Sequence, residues 1–188
     1  MWLVVGLGNP GPSYEHNRHN VGFMAADAIC RRHGFSASQK KFGGLLSEGA
    51  LGGEKTLCLK PLTYMNLSGQ SVGEACRFYK IAPENVIVIH DELALPLGDM
   101  RLKKGGGHAG HNGLKSIDSH IGQDYLRLRI GIGHPGQPEL VSDYVLSNFS
   151  KAEMKTVEPQ LDDIADKLME NLARFTAQGA NQVKFIIE

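Results

Sequence analysis

The run Val86-Ile87-Val88-Ile89-His90 constrains this chain most. Four β-branched apolar residues in succession have stiff χ1 angles that suit a pleated strand, and no polar residue interrupts them to mark a wet face. The run reads as a buried strand, and Asp91-Glu92 follow it at once. A carboxylate at the end of a buried strand is costly without a partner. Asp91 is therefore either a loop cap or the companion of another polar group.

The rest of the chain supplies more strands and helices in alternation. Trp2 to Leu7 reads as a second buried strand, and Leu45–Leu51 with Lys55–Leu59 as a hairpin about Gly52-Gly53-Glu54, ended by Pro61. Met100–Lys103 and Leu126–Ile132 read as further strands. Helical spacing predicts Val21–His33, with Asn20 as cap and Gly34 as stop, then Asn66–Tyr79 and a short Asn112–Ile121 capped by Asn112. Lys151–Phe175 is amphipathic, and Pro159 predicts its division into a short and a longer helix. Such alternation gives an α/β fold: a single domain over residues 1–188, with a mixed twisted β-sheet flanked by helices. A domain of this size buries roughly 70% of its unfolded surface. It needs no metal or disulfide to fold. Cys30, Cys58 and Cys76 are widely spaced with no C-x-x-C, which predicts reduced, buried, apolar side chains. No apolar run approaches the roughly 20 residues of a membrane span, and the start lacks the basic flank of a signal peptide.

A formal net charge of +0 speaks against a nucleic-acid binder that works by bulk charge. The distribution is uneven, however. Residues 95–135 hold six basic and three acidic side chains, a net +3, whereas residues 151–170 hold three basic and six acidic, a net −3.

Gly6-Leu7-Gly8-Asn9-Pro10-Gly11 matches G-x-G-x-x-G directly after a strand. A dinucleotide site would need a helix N-terminus to receive the pyrophosphate and an acid about 20 residues on. Pro10, Pro12 and the polar stretch Tyr14–Arg18 deny the first, and the second is missing. The motif reads better as a rigid turn that presents Asn9 at the carboxyl end of strand one, where open α/β sheets place their sites. His16 and His19 follow in the next loop, and imidazole suits general acid–base work near neutrality. Asp91 could hold such a histidine with Nε2 free and stabilise the imidazolium that forms.

Gly105 to Gly113 packs five glycines around His108, His111 and Asn112. His108 and His111 have a spacing that could bind zinc with Asp91, but a zinc site needs ligands on firm elements, and this loop is flexible by composition. No metal and no cofactor is expected. Asn66 is either a helix cap or a third amide pointing into a cleft. There is no G-x-S-x-G and no cysteine placed with a histidine, which leaves no covalent nucleophile. A histidine, an aspartate, three asparagines and nearby basic residues remain. Amides donate and accept, so the set can bind an acyl group, hold a water and meet a developing oxyanion.

Six motifs in order carry a resemblance: Gly6–Gly11, Arg18-His19-Asn20, Thr63-Tyr64-Met65-Asn66-Leu67-Ser68-Gly69, His90-Asp91-Glu92, Gly105–Gly113 and Gly131-Ile132-Gly133-His134-Pro135-Gly136. Over essentially the whole chain they resemble bacterial peptidyl-tRNA hydrolases; Asn17 departs from the threonine more usual there. The resemblance implies a phosphorylase/hydrolase-like fold and a monomeric cytoplasmic enzyme, metal-independent and without a required protein partner. It would cleave the ester between a peptide and the 3′ ribose of tRNA, recycling tRNA from stalled synthesis. His19 would be the general base and Asp91 its orienting partner. Asn9 would contact the peptide, its amide carbonyl accepting the single N–H that distinguishes a blocked amine from an ammonium. Tyr14, Tyr64, Asn66, His111 and Asn112 would line the substrate site, and Lys103 and Arg129 would meet tRNA phosphates. The alternative of the same fold is a non-catalytic RNA-binding module, of the kind that serves organellar intron splicing.

Overall fold

A computed structural model describes residues 1–187. In chain order the elements are β1 (Trp2–Gly6), α1 (Val21–Arg32), β2 (Gln39–Lys41), β3 (Gly44–Leu51), β4 (Glu54–Pro61), α2 (Ser68–Tyr79), β5 (Val86–Glu92), β6 (Met100–Lys104), α3 (Asn112–Ile121), β7 (Leu126–Gly131), α4 (Val141–Val145), α5 (Lys151–Gln178) and β8 (Gln182–Lys184). The strands form one sheet in the order β2-β3-β4-β1-β5-β7-β6-β8. β4, β1, β5 and β7 run parallel, while β2, β3, β6 and β8 add antiparallel edges. This is the mixed α/β sheet expected from the sequence.

Strand alternation divides the core between two layers. Val4, Ile87 and Ile89 pack with Val21, Ala25 and Ile29 of α1 and with Ile164, Leu168 and Leu172 of α5. Leu3, Val5, Val86 and Val88 face Val72 and Ala75 of α2 and Leu114 and Ile117 of α3. At the turn between β3 and β4, Gly52 and Gly53 both have positive φ, 57° and 81°. That is the two-residue hairpin geometry glycine makes cheap.

Helix α1 sits unusually close to the sheet. A Cβ on Gly22 would fall 2.5 Å from Leu7 N and closer still to Ile89 O, and one on Gly6 would strike Gly22 O and Ala26. The first turn of α1 thus lies backbone-to-backbone on β1 and β5, and Phe23 N–H donates to Leu7 O (3.1 Å). Gly6 serves this contact between backbones.

Three expectations differ from what is observed. α5 is a single 28-residue helix running through Pro159. The proline removes one backbone bond at a cost of about 3 kcal/mol. Val157, Gln160, Ile164, Leu168 and Phe175 are buried on both sides of it as one stripe, and a Ser150–Glu153 capping box secures the start. Asn20 does not cap α1, because its side chain is bonded to Asn9. Asn112 does not cap α3: His111 does, its Nδ1 accepting from Gly113 and Leu114 N–H. The short polar strands β2 and β8 and the five-residue α4 have no sequence pattern long enough to announce them.

Candidate active site

Five segments converge at the carboxyl ends of the parallel strands on a cleft of about 940 Å³. Asn9 comes from the turn after β1 and His19 from a single 3-10 turn, Arg18–Asn20, that leads directly into α1. Tyr64 and Asn66 follow β4, Asp91 lies near the end of β5, and His111 and Asn112 begin α3. Because α1 is pressed onto β1 and β5, the turn that enters it lands on the end of β5.

There His19 Nδ1–H donates to Asp91 Oδ2 at 2.8 Å. A carboxylate only accepts, so this bond fixes the tautomer and leaves Nε2 with a lone pair and no protein partner among the described residues. Asp91 is 3% exposed and His19 9%. Burial works to lower the His19 pKa, but the charge of Asp91 and the bond to it outweigh burial, and the pKa is raised above the ordinary 6.5. Burial likewise works to raise Asp91, and the two rings facing it hold it well below the usual carboxylate range.

The second ring is His111. Its Nε2–H donates to Asp91 Oδ1 at 2.9 Å, and its centroid lies 5.0 Å from that of His19. Its Nδ1, occupied by the α3 cap, fixes the tautomer. His111 thus lines the cleft, as expected, while its two nitrogens serve Asp91 and α3. His90, to which motif reasoning gives no role, is fully buried beneath it. Its Nδ1–H donates to Asp91 O at 2.7 Å. Burial, with the neighbouring His111 ring, lowers its pKa to about 3, so it stays neutral.

The zinc pairing of His108 with His111 is not assembled. His108 Nδ1 accepts from Gly110 N–H in its own loop. The three groups brought within 4.8 Å of one another are His19, Asp91 and His111. Both ring nitrogens facing Asp91 carry protons in this hydrogen-bond pattern, and a cation would need lone pairs there.

The asparagines divide their labour. Asn9 N–H donates to Asn20 Oδ1 and Asn20 Nδ2 donates to Asn9 O, both at 2.9 Å, so Asn20 splints the turn. Asn9 Oδ1 accepts from Met65 N–H at 2.7 Å. That bond leaves Oδ1 its second lone pair, and Nδ2, a donor, has no protein partner among the described residues. Asn66 and Asn112 line the cleft with exposed amides. Tyr14 and Tyr64 meet edge-to-face at 6.5 Å on its rim, Tyr64 being 54% exposed and held at φ 66°.

β6 and β7 turn their apolar side toward α5, and their other side carries Lys103 opposite Arg127 and Arg101 opposite Arg129. This is the local excess of positive charge in its folded form. Lys103 runs beside Gly106 and has no acidic partner among the described residues. Arg129 is less free: Nε donates to Glu92 Oε1 at 2.8 Å and Nη1 to Gln182 Oε1. Glu92 itself lines the cleft, so Arg129 adjoins the site through it. Arg127 is buried, donating to the carbonyls of Gly106 and Gly107 at 2.7 and 2.6 Å. It fastens the glycine loop that leads to His111. Arg18 does the same for the opposite wall. It stacks 4.2 Å above Tyr144, reaches Glu153 at 2.9 Å and ties the His19 turn to α4 and α5. Only Arg18's place beside His19 could have suggested that role from sequence.

The peptidyl-tRNA hydrolase family model matches residues 3–185. Among curated relatives, the peptidyl-tRNA hydrolase of Rhodospirillum centenum is 64% identical over 162 residues, covering 86% of this chain and 71% of that protein. That of Rhizobium rhizogenes is 61% identical over 166 residues, covering 88% and 70%. The crystal structure of the peptidyl-tRNA hydrolase of Acinetobacter baumannii superposes with a TM-score of 0.89 at 43% identity, over 95% of this chain and 91% of that one.

Proposed function

The chain belongs to the peptidyl-tRNA hydrolase family and hydrolyses the ester of peptidyl-tRNA; on that premise we propose that His19 is the general base and Asp91 the group that orients it. The observation that carries this reading is the 2.8 Å bond from His19 to a buried Asp91 beside an amide-lined cleft. His19 Nε2 takes a proton from water as the oxygen attacks the ester carbonyl. Asp91 stabilises the imidazolium, which returns the proton to the departing 3′ oxygen of the ribose. The free amide N–H groups of Asn9, Asn66 and Asn112 are donors for the carbonyl oxygen as it becomes an oxyanion, and for the peptide beside it.

Tyr14 and Tyr64 form a wall for the acyl group and terminal nucleotide. Lys103 and Arg129 receive phosphates, contacts that position any tRNA without reading its sequence. The enzyme acts as a monomer in the cytoplasm with no protein partner; light scattering of the pure chain checks its oligomeric state, and full turnover by the chain alone checks that it needs no partner.

Replacing His19 by Ala is expected to lower hydrolysis by about 10²–10⁴-fold with tRNA affinity retained. Unchanged turnover would remove His19 from the chemistry. Loss of both activity and tRNA binding would point to a structural role for it.

A further inference from the structure

His19 stands on a single 3-10 turn, Arg18–Asn20, too short to fix a ring by its own hydrogen bonding. Its neighbours hold it. Just before the turn, the chain pairs with the junction between α4 and α5. Asn17 and Asn148 form an antiparallel bridge, Arg18 N–H donates to Ser147 O (3.0 Å), and Phe149 N–H donates to His16 O (3.2 Å). Just after His19, Asn20 N–H donates to Asn17 O (3.0 Å) and closes the turn across the ring.

Asn17 takes part on both sides. It occupies the position before the turn, where an asparagine side chain ordinarily caps the N–H groups that follow. Here it makes no cap. It is 2% exposed, and its Nδ2–H donates at 2.8 Å to Oδ1 of Asn148, 131 positions away. Its own Oδ1 is buried with no protein partner among the described residues. An unpaired buried oxygen is destabilising, so stability alone does not account for an amide here. The Arg18 side chain reaches the same junction, but it holds the turn from one side of His19 only. Through Asn17 the hydrogen bonding continues past the ring: Asn148 to Asn17, Asn17 to Asn20, Asn20 to Asn9 and Asn9 to Met65. The ring is thus slung between the α4–α5 junction and the turn after β1, with Nδ1 on Asp91.

We propose that Asn17 and Asn148 are positioning residues, whose amide bond sets how the His19 ring meets Asp91 and the attacking water; the role rests on His19 being the base. Neither side chain is among those that line the cleft, so each acts through His19. Cutting the bond frees the chain on one side of a three-residue turn, and the ring at its middle shifts with it. A displacement of about 1 Å at a reacting group can cost about 10²-fold in rate.

Asn148 is exposed, so Asn148→Ala removes the acceptor and little else. In the full chain kcat should fall about 10–10²-fold with KM within about twofold, and the urea midpoint should hardly move. Nitrogen-15 imidazole spectra should show the His19 titration, raised by Asp91, falling back toward 6.5. Asn148→Asp keeps an acceptor for Asn17 and should restore both rate and titration. Asn17→Ala should match Asn148→Ala, and the double variant should be no worse than either. An unchanged kcat and titration in Asn148→Ala, failure of Asn148→Asp to restore them, or a loss of kcat no larger than the loss of folded protein would each overturn the proposal. Full turnover by His19→Ala would instead sink the base reading alone, since the ring titration is read without turnover.

Discussion

At the scale of single residues, Asp91 decides the behaviour of the cleft, because its two oxygens serve two rings of fixed tautomer. As the base proposed for the reaction, His19 must be neutral, and its pKa is raised. The rate should therefore fall on the acid side from a point above pH 6.5. In Asp91→Asn the burial that lowers the His19 pKa is no longer opposed, so that limb should move to lower pH while turnover drops by about 10²–10⁴-fold. A kcat/KM profile of the variant reads both; a limb that stays in place would mean that Asp91 orients the ring without setting its basicity. As candidates, Asn9, His19 and Asp91 are legible in the sequence because they stand at or near a strand end and its turn, and Asn66 and Asn112 because each stands where a helix begins. The splint role of Asn20 and the cap role of His111 are not. An amide or imidazole presents the same donors and acceptors to a ligand as to backbone, and only folded distances tell which it meets.

At the scale of elements, the seating of α1 is the most exacting contact near the site. Gly22→Ala would place a methyl against Leu7 N and Ile89 O, backbone atoms that cannot swing aside. The cost should reach or exceed the upper end of the about 1–3 kcal/mol typical of overpacking, read as a lowered urea midpoint. Hydrolysis should fall more than stability alone explains, because His19 is carried by the turn entering that helix. The strands are readable from β-branched runs such as Val86–Ile89, and α3 from its spacing. Pro159 misleads about α5, since a local rule about one missing hydrogen bond cannot see a buried stripe that continues past it. β2 and β8 are three mostly polar residues each, paired only because a neighbouring strand offers its edge.

For the molecule as a whole, the same ion pair links function to stability. Asp91, with its pKa depressed, stabilises the fold above its ordinary 3.8, and that contribution is lost as pH falls through the lower folded value. His19, with its pKa raised, stabilises below its ordinary 6.5, and that contribution is lost as pH rises through the higher folded value. Both are present between those two ordinary values. The stability difference between the wild type and His19→Ala, read from denaturation, should therefore be largest near pH 5 and shrink toward pH 9, where what remains is the bond that the neutral ring donates to Asp91. Charge acts on the same scale. Neutralising Lys103, which has no acidic partner among the described residues, should weaken tRNA binding and make its salt dependence shallower, and Arg129→Gln should do so less because Glu92 already offsets that charge. Titrations of acceptor-stem RNA at several salt concentrations measure this; losses independent of salt would detach both side chains from phosphate.

His19 and Asp91 are separated by 72 positions in the chain and meet only where α1, β1 and β5 are already in register. A refolding chain should thus regain hydrolysis in step with the central strands. Returning turnover would serve as a clock for the moment that junction closes.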